Sequence, residues 1–212
     1  MDVRKMLIPR TKYSIKSPYA MNPEFYVVHN TYNDASANNE IAYMTRNDKQ
    51  VSYHYAIDDR EVVQGIPENR NAWHAGDGGN GAGNRKGIAV EICYSKSGGP
   101  RFIAAEKRAA EFIANGLKEK GWGLDKVKKH QDFSGKYCPH RTLDMGWDRF
   151  LKMIESYMQK EPEGIKINIR GKLHYMDGVF QNDKNYVSVR ELAEALGHTV
   201  TWDKASQTVV IR

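Results

Sequence analysis

The sequence predicts an α/β fold, a β-sheet flanked by helices, joined to a small α+β domain at the C-terminus. Three observations carry this prediction. Runs at 24–31, 51–57 and 88–94 are dominated by aromatic and β-branched residues and read as buried strands. Phe102, Ala105, Ala109, Phe112, Ile113 and Leu117 form one stripe, which reads as a long amphipathic helix over 102–120. After Lys160-Glu161-Pro162-Glu163-Gly164 the pattern changes to short β runs. A chain of 212 residues holds one ordinary domain plus an appendage.

In chain order, the first sixteen residues carry Arg4, Lys5, Arg10, Lys12 and Lys16 and read as a solvated basic arm or as a polyanion contact. Residues 24–31 form a strand entered after Pro23, which puts His29 at its carboxyl end, where open α/β sheets place their sites. Ile41, Ala42, Met44 and Thr45 suggest a short helix within 34–47. Residues 51–57 are a second strand, ended by Asp58-Asp59, and 61–66 return as its hairpin partner. The glycine-rich stretch 77–87 lacks the Gly-Lys-Ser/Thr ending of a phosphate loop and reads as a mobile rim around a cleft. In the strand at 88–94, alternation places Ala89, Glu91 and Cys93 on one face. A carboxylate in so apolar a strand is costly unless it is partnered or functional. Gly121 stops the long helix, and a second helix over 147–159 buries Trp147, Phe150, Leu151, Ile154 and Met158. Domains are therefore expected at 1–158 and 165–212, with a linker at 159–164. In the second, strands at 166–169, 198–202 and 208–211 surround a helix over 189–196.

A hydrophobic share of 40% and a charged share of 27% fit a soluble globular protein. No apolar run reaches the length of a membrane span. The N-terminus lacks the apolar core of a signal peptide, so synthesis in the cytoplasm without general secretory export is expected. The net charge of +6 favours a polyanionic partner, but no groove-entering motif marks a nucleic-acid binder. Two cysteines, Cys93 and Cys138, make no disulfide framework.

The chemistry concentrates between His130 and Arg141. His130 and Cys138 stand eight positions apart, with Gly135 permitting a reversal between them and Pro139 stiffening the segment after the cysteine. Imidazole nitrogen and thiolate sulfur are ligands that zinc prefers, and two of them leave a tetrahedral site incomplete. Of the seven histidines, His29 is the strongest candidate for a third ligand. The competing reading of His29 is a core histidine bonded to a backbone carbonyl.

Taken together, Val28-His29-Asn30-Thr31, Tyr53-His54, Trp73-His74-Ala75-Gly76, Glu91 and His130…Lys136-Tyr137-Cys138-Pro139 resemble the type 2 N-acetylmuramoyl-L-alanine amidases, a family that includes phage endolysins and is similar to the peptidoglycan recognition proteins. The likeness covers about residues 20–158, with the motifs in the family's order. It implies a central mixed sheet and a Zn²⁺ held by His29, His130 and Cys138. It implies that Glu91, Lys136 and Tyr53 are catalytic, with Tyr53 near the zinc and either Lys136 or Tyr53 as the oxyanion donor, and that His74 and Asn84 line the substrate groove. His54 and His140 are left as structural. The implied activity is cleavage of the amide between N-acetylmuramic acid and L-alanine of peptidoglycan. A non-catalytic wall binder and a bacterial autolysin of the same chemistry are the alternatives. A lysin without a signal peptide would act on the wall after release.

The pattern Tyr186-Val187-Ser188-Val189-Arg190…Gly197…Trp202…Thr208-Val209-Val210-Ile211 resembles the small domain at the N-terminus of some copper amine oxidases, without copper ligands. In a lysin such a module implies wall anchoring, on peptidoglycan or on anionic wall polymers. A homodimer contact or plain structural support is the alternative.

Overall fold

The computed structural model describes residues 1–160 and 164–212, so 161–163 of the expected linker lie outside the described residues. The chain divides into two compact units, Met1–Gln159 and Lys160–Arg212.

In the first unit β1 (Val3–Lys5) leads through α1 (Tyr13–Lys16) to β2 (Phe25–Asn30), α2 (Ala37–Arg46), β3 (Tyr55–Ile57) and β4 (Val62–Gln64). Then come α3 (Ala82–Lys86), β5 (Gly87–Ile92), α4 (Gly99–Lys120), β6 (Val127–Lys129), α5 (Gln131–Ser134), α6 (His140–Asp144) and α7 (Trp147–Gln159). The six strands form one mixed sheet in the order β1-β4-β3-β5-β2-β6, in which only β3 and β4 pair antiparallel.

Alternation along these strands divides the core. Tyr26 on β2 and Tyr55 on β3 meet Phe112 of α4, at ring-centroid distances of 6.3 and 4.6 Å. Helix α4 therefore covers that face, and α7 packs on α4 through Phe150, Ile154 and an ion pair of 2.7 Å between Arg149 and buried Glu106. The α4 stop is at Gly121, whose φ of 65° is the left-handed C-cap glycine favours. Helix α2 packs on β3 and β4, and a Cβ at Gly65 would collide with Met44 Cε. The opposite face of the sheet carries Val27 and His29 of β2 beside Ala89 and Glu91 of β5.

Two local expectations are corrected. The basic arm is not simply solvated: Val3–Lys5 extends the sheet beside β4, and Lys16 is buried, donating to Asn47 Oδ1 and the Val51 carbonyl. The strand at 51–57 shortens to Tyr55–Ile57, and before it side chains join the backbone pairing. Ser52 Oγ accepts from Trp73 N, and His54 Nδ1 accepts the Ala89 amide at 2.9 Å. The buried His54 thus stands where a strand residue would pair, and its Nε2 faces the Arg70 carbonyl at 2.9 Å.

The second unit comprises β7 (Ile165–Ile169), β8 (Lys172–Met176), β9 (Gly178–Gln181), β10 (Lys184–Val187), α8 (Val189–Ala195), β11 (Val200–Asp203) and β12 (Thr208–Ile211). Its strands pair antiparallel as β7 with β8, β9 with β10 and β11 with β12. The turns Arg170-Gly171 and Asn182-Asp183 have positive φ at both positions, the conformation that closes tight hairpins. Met176, Ala193 and Val200 are buried apolar residues of this unit, while Phe180, Tyr186 and Trp202 stay exposed. Among the described residues no helix is long and apolar enough to cross a membrane.

Burial depresses the His54 pKa to about 4. His54 must be neutral to accept from Ala89, so its contribution is complete above the unfolded value of 6.5 and is lost as pH falls through about 4. About 3 kcal/mol of stability should disappear across that window. Urea unfolding at stepped pH should show a shallower slope in His54→Gln; an unchanged slope would remove His54 from the account.

Candidate metal and catalytic site

Register assembles the site. β2 runs parallel to β5 on one side and β6 on the other, with His29 opposite Glu91 and Val28 opposite Lys129. The pairing continues one residue past β6, where the His130 amide donates to the Val28 carbonyl at 3.3 Å. Glu91, His29 and His130 therefore occupy one row across three strands. The chain then reverses through α5 and Gly135, whose φ is 74°, and Gln131 N donates to the Cys138 carbonyl at 3.0 Å. Phe133 of α5 stacks on Phe25 at 5.5 Å, holding this hairpin against the start of β2.

The result is a buried cluster of His29, His130 and Cys138 whose ligand atoms lie within 4.8 Å of one another. The Nδ1 atoms of His29 and His130 are 3.0 Å apart, and Cys138 Sγ is 4.0 Å from His29 Nδ1. Nitrogens and sulfur sharing one tetrahedral zinc would stand roughly 3.3–3.6 Å apart, so the donor set and spacing fit that ion.

The Trp73-His74-Ala75-Gly76 segment orients both imidazoles. His29 Nε2 meets His74 Nδ1 at 2.9 Å, and His130 hydrogen-bonds the Ala75 backbone. Each ring thereby turns its Nδ1 toward the cluster, the arrangement by which outer partners fix the tautomer of a metal ligand. Burial first, then the neighbouring imidazoles and Lys136, drive the His29 pKa far down, and burial brings His130 to about 4. Both rings are held neutral, as ligands must be. Burial pushes the Cys138 thiol up to about 12, with Glu91 adding to it. Backbone amides of Asn30 and His140 and the charge of Lys136 act in the opposite direction, favouring thiolate.

Glu91 Oε2 is buried and has no hydrogen-bond partner. Burial, then the Glu40 carboxylate, push the Glu91 pKa up to about 8, while Lys136 draws it down. Lys136 itself is exposed on the hairpin. Glu40, on the amphipathic α2, escaped sequence reasoning: a buried acid there looks like any polar helix residue.

Three expectations change. His74, expected in the substrate groove, stands behind His29 and is itself buried. Asn84 is 3% exposed, and its Oδ1 accepts from His74 N and Ala75 N at 2.8 Å while Nδ2 donates to the Gly78 carbonyl. Its polar atoms thus hold the glycine-rich loop, with Asp77 receiving the Gly83 and Asn84 amides. Tyr53 donates its buried hydroxyl to Glu40 Oε2 at 2.9 Å, so its proton is not directed at the metal cluster. His140 sets its Nε2 on the Ser95 carbonyl at 3.3 Å. Cys93 and Cys138 are both free thiols.

The family model described as N-acetylmuramoyl-L-alanine amidase matches residues 19–141, the stretch that builds this cluster. The chain belongs to that family. The N-acetylmuramoyl-L-alanine amidase XlyB of Bacillus subtilis (strain 168) is 60% identical over 156 residues, 73% of this chain and 49% of that protein. The chain thus spans about half the length of that curated relative. The solved structure of PlyL is 50% identical with a TM-score of 0.71, covering 73% of this chain and 97% of that one. The PlyG catalytic domain is 46% identical, also at 0.71, covering 77% and 100%. Residues 165–212 match the copper amine oxidase N-terminal domain. The matched stretch contains the row of Glu91, His29 and His130 and the Cys138 that closes it.

His74→Ala should weaken metal binding about 10- to 100-fold by freeing the His29 ring. Cys138→Ser should cost more, since it removes a donor. Chelator competition on purified variants measures both; full metal occupancy in Cys138→Ser by elemental analysis would overturn the ligand assignment.

Proposed function

We propose that the first unit is a zinc-dependent peptidoglycan hydrolase that cuts the amide between N-acetylmuramic acid and the L-alanine of the stem peptide. The observation that carries this reading is a buried, unpartnered carboxylate oxygen on Glu91 in the same row as His29 and His130. Two neutral imidazoles and one thiol would hold the ion and leave it an open position, the pattern of catalytic rather than structural zinc. Bound there, zinc supplies Lewis acidity, polarising the scissile carbonyl and lowering the pKa of water. Glu91, its pKa raised to about 8, accepts the proton of the attacking water and delivers it to the departing amine. Lys136, the exposed cation beside Glu91, donates to the carbonyl oxygen as it gains charge. With Tyr53 committed to Glu40, that donor role rests on Lys136.

A non-catalytic wall binder needs neither Cys138 nor an unpaired Glu91, so their presence favours the enzyme. The second unit we read as the wall-binding part of a lysin, supported by its exposed Phe180, Tyr186 and Trp202.

Glu91→Gln should retain metal and melting temperature while losing about 10²- to 10⁴-fold in turnover of purified peptidoglycan. Near-normal release of new L-alanine amino termini by that variant would refute its role. Removing residues 160–212 should leave hydrolysis of soluble muropeptides intact and reduce sedimentation with whole cell walls. Equal sedimentation of the two forms would assign the second unit to something other than the wall.

A further inference from the structure

Close in the chain to His29 a large side chain is held out into solvent at a conformational cost. Tyr32, three residues beyond His29, is 73% exposed and has a φ of 58°, a backbone region that bulky residues seldom occupy. Such strain persists only where the surroundings impose it, and it gathers at binding sites. Here the surroundings are explicit. Tyr32 N donates to Ser95 Oγ at 2.7 Å, Thr31 N donates to the Ile92 carbonyl at 3.2 Å, and Lys96 N donates to the Asn33 carbonyl at 3.3 Å. Ser95 is fully buried, and its carbonyl also accepts from Arg141 Nε at 2.5 Å and from His140 Nε2. The Tyr32 ring rests on the His140 ring at 4.8 Å, with planes inclined by 64°. His140 follows Cys138 by two positions, so both anchors of the aromatic pair adjoin metal-cluster residues.

We propose that Tyr32 is the platform on which a pyranose ring of the glycan strand stacks when its peptide amide enters the site. The proposal rests on the amidase reading and names which half of the substrate lies on this rim. A sugar ring offers a flat, weakly polar C–H face that matches an exposed aromatic face. The stem peptide offers no comparable ring face. The tilted contact with His140 steadies the phenol while most of its surface stays open.

Glycine adopts the Tyr32 backbone conformation without strain. Tyr32→Gly should therefore melt at or above the wild-type temperature. It should also raise KM about tenfold on a disaccharide-tripeptide, with kcat within twofold. On a lactyl-tripeptide, which has the same scissile amide and no sugar, its KM should equal the wild type's. Tyr32→Phe, which keeps the ring, should behave as wild type on both. Equal losses on the two substrates, or a melting temperature that falls in step with KM, would overturn the proposal. A direct titration of the full chain with N-acetylglucosaminyl-N-acetylmuramic acid separates this idea from the amidase reading. If the wild type cuts neither substrate, the amidase reading fails, and disaccharide binding weakened about tenfold by Tyr32→Gly still supports the platform. No disaccharide binding, or binding unchanged in the variant, overturns the platform whatever the catalytic result.

Discussion

Strand β2 lies between two parallel neighbours, and hydrogen bonds along both of its edges decide which residues become adjacent. His29 faces Glu91 across one edge and His130 across the other because Val28 pairs with Val90 and with Lys129. A slip of one residue on either side would send one member of the row to the opposite, helix-covered face. The packing of α4 and α7 therefore matters to the site at a distance. It secures Tyr26 and Val28, and with them the register of a strand whose alternate residues do the chemistry.

Around that row the electrostatics are consistent. Two imidazole nitrogens 3.0 Å apart in a dry site cannot both carry protons, and Lys136 opposes protonation further. The outer nitrogens are occupied by His74 and the Ala75 backbone, so the inner lone pairs converge on one point. Burial, and after it the Glu40 carboxylate, keep the Glu91 pKa raised although the Lys136 charge is nearby. Tyr53 and Asn33 satisfy Glu40, while Glu91 keeps an unbonded oxygen beside the cluster.

Much of this was legible in the sequence because residue type narrowed it and the family resemblance supplied the roles. A histidine closing an apolar strand, an acid at an alternate position of another, and a histidine and cysteine around Gly135 each announce a chemical purpose. What stayed hidden depends on partners distant in the chain. Val127–Lys129 is too short and too lysine-rich to look like a strand, and becomes one only beside Tyr26, Val27 and Val28. His74 and Asn84 read as groove residues by resemblance, yet burial turns one toward His29 and the other toward backbone amides. In the second unit, β8, β9 and β10 were missed because they are short and largely exposed, without a clean apolar alternation. Only the pairing itself distinguishes them from loop.

The three donors also come from far-apart places in the chain: His29 stands 109 positions before Cys138 and 101 before His130. An ion gripping all three would act as a removable cross-link, tying the first long strand to a hairpin completed near the end of the unit. Closing a loop of that length removes much of the freedom of the unfolded chain, as a disulfide would, but without demanding an oxidising compartment. The same ion that activates the site would then carry part of the domain's resistance to unfolding. Metal supply would set folding yield and activity together, through one bond set.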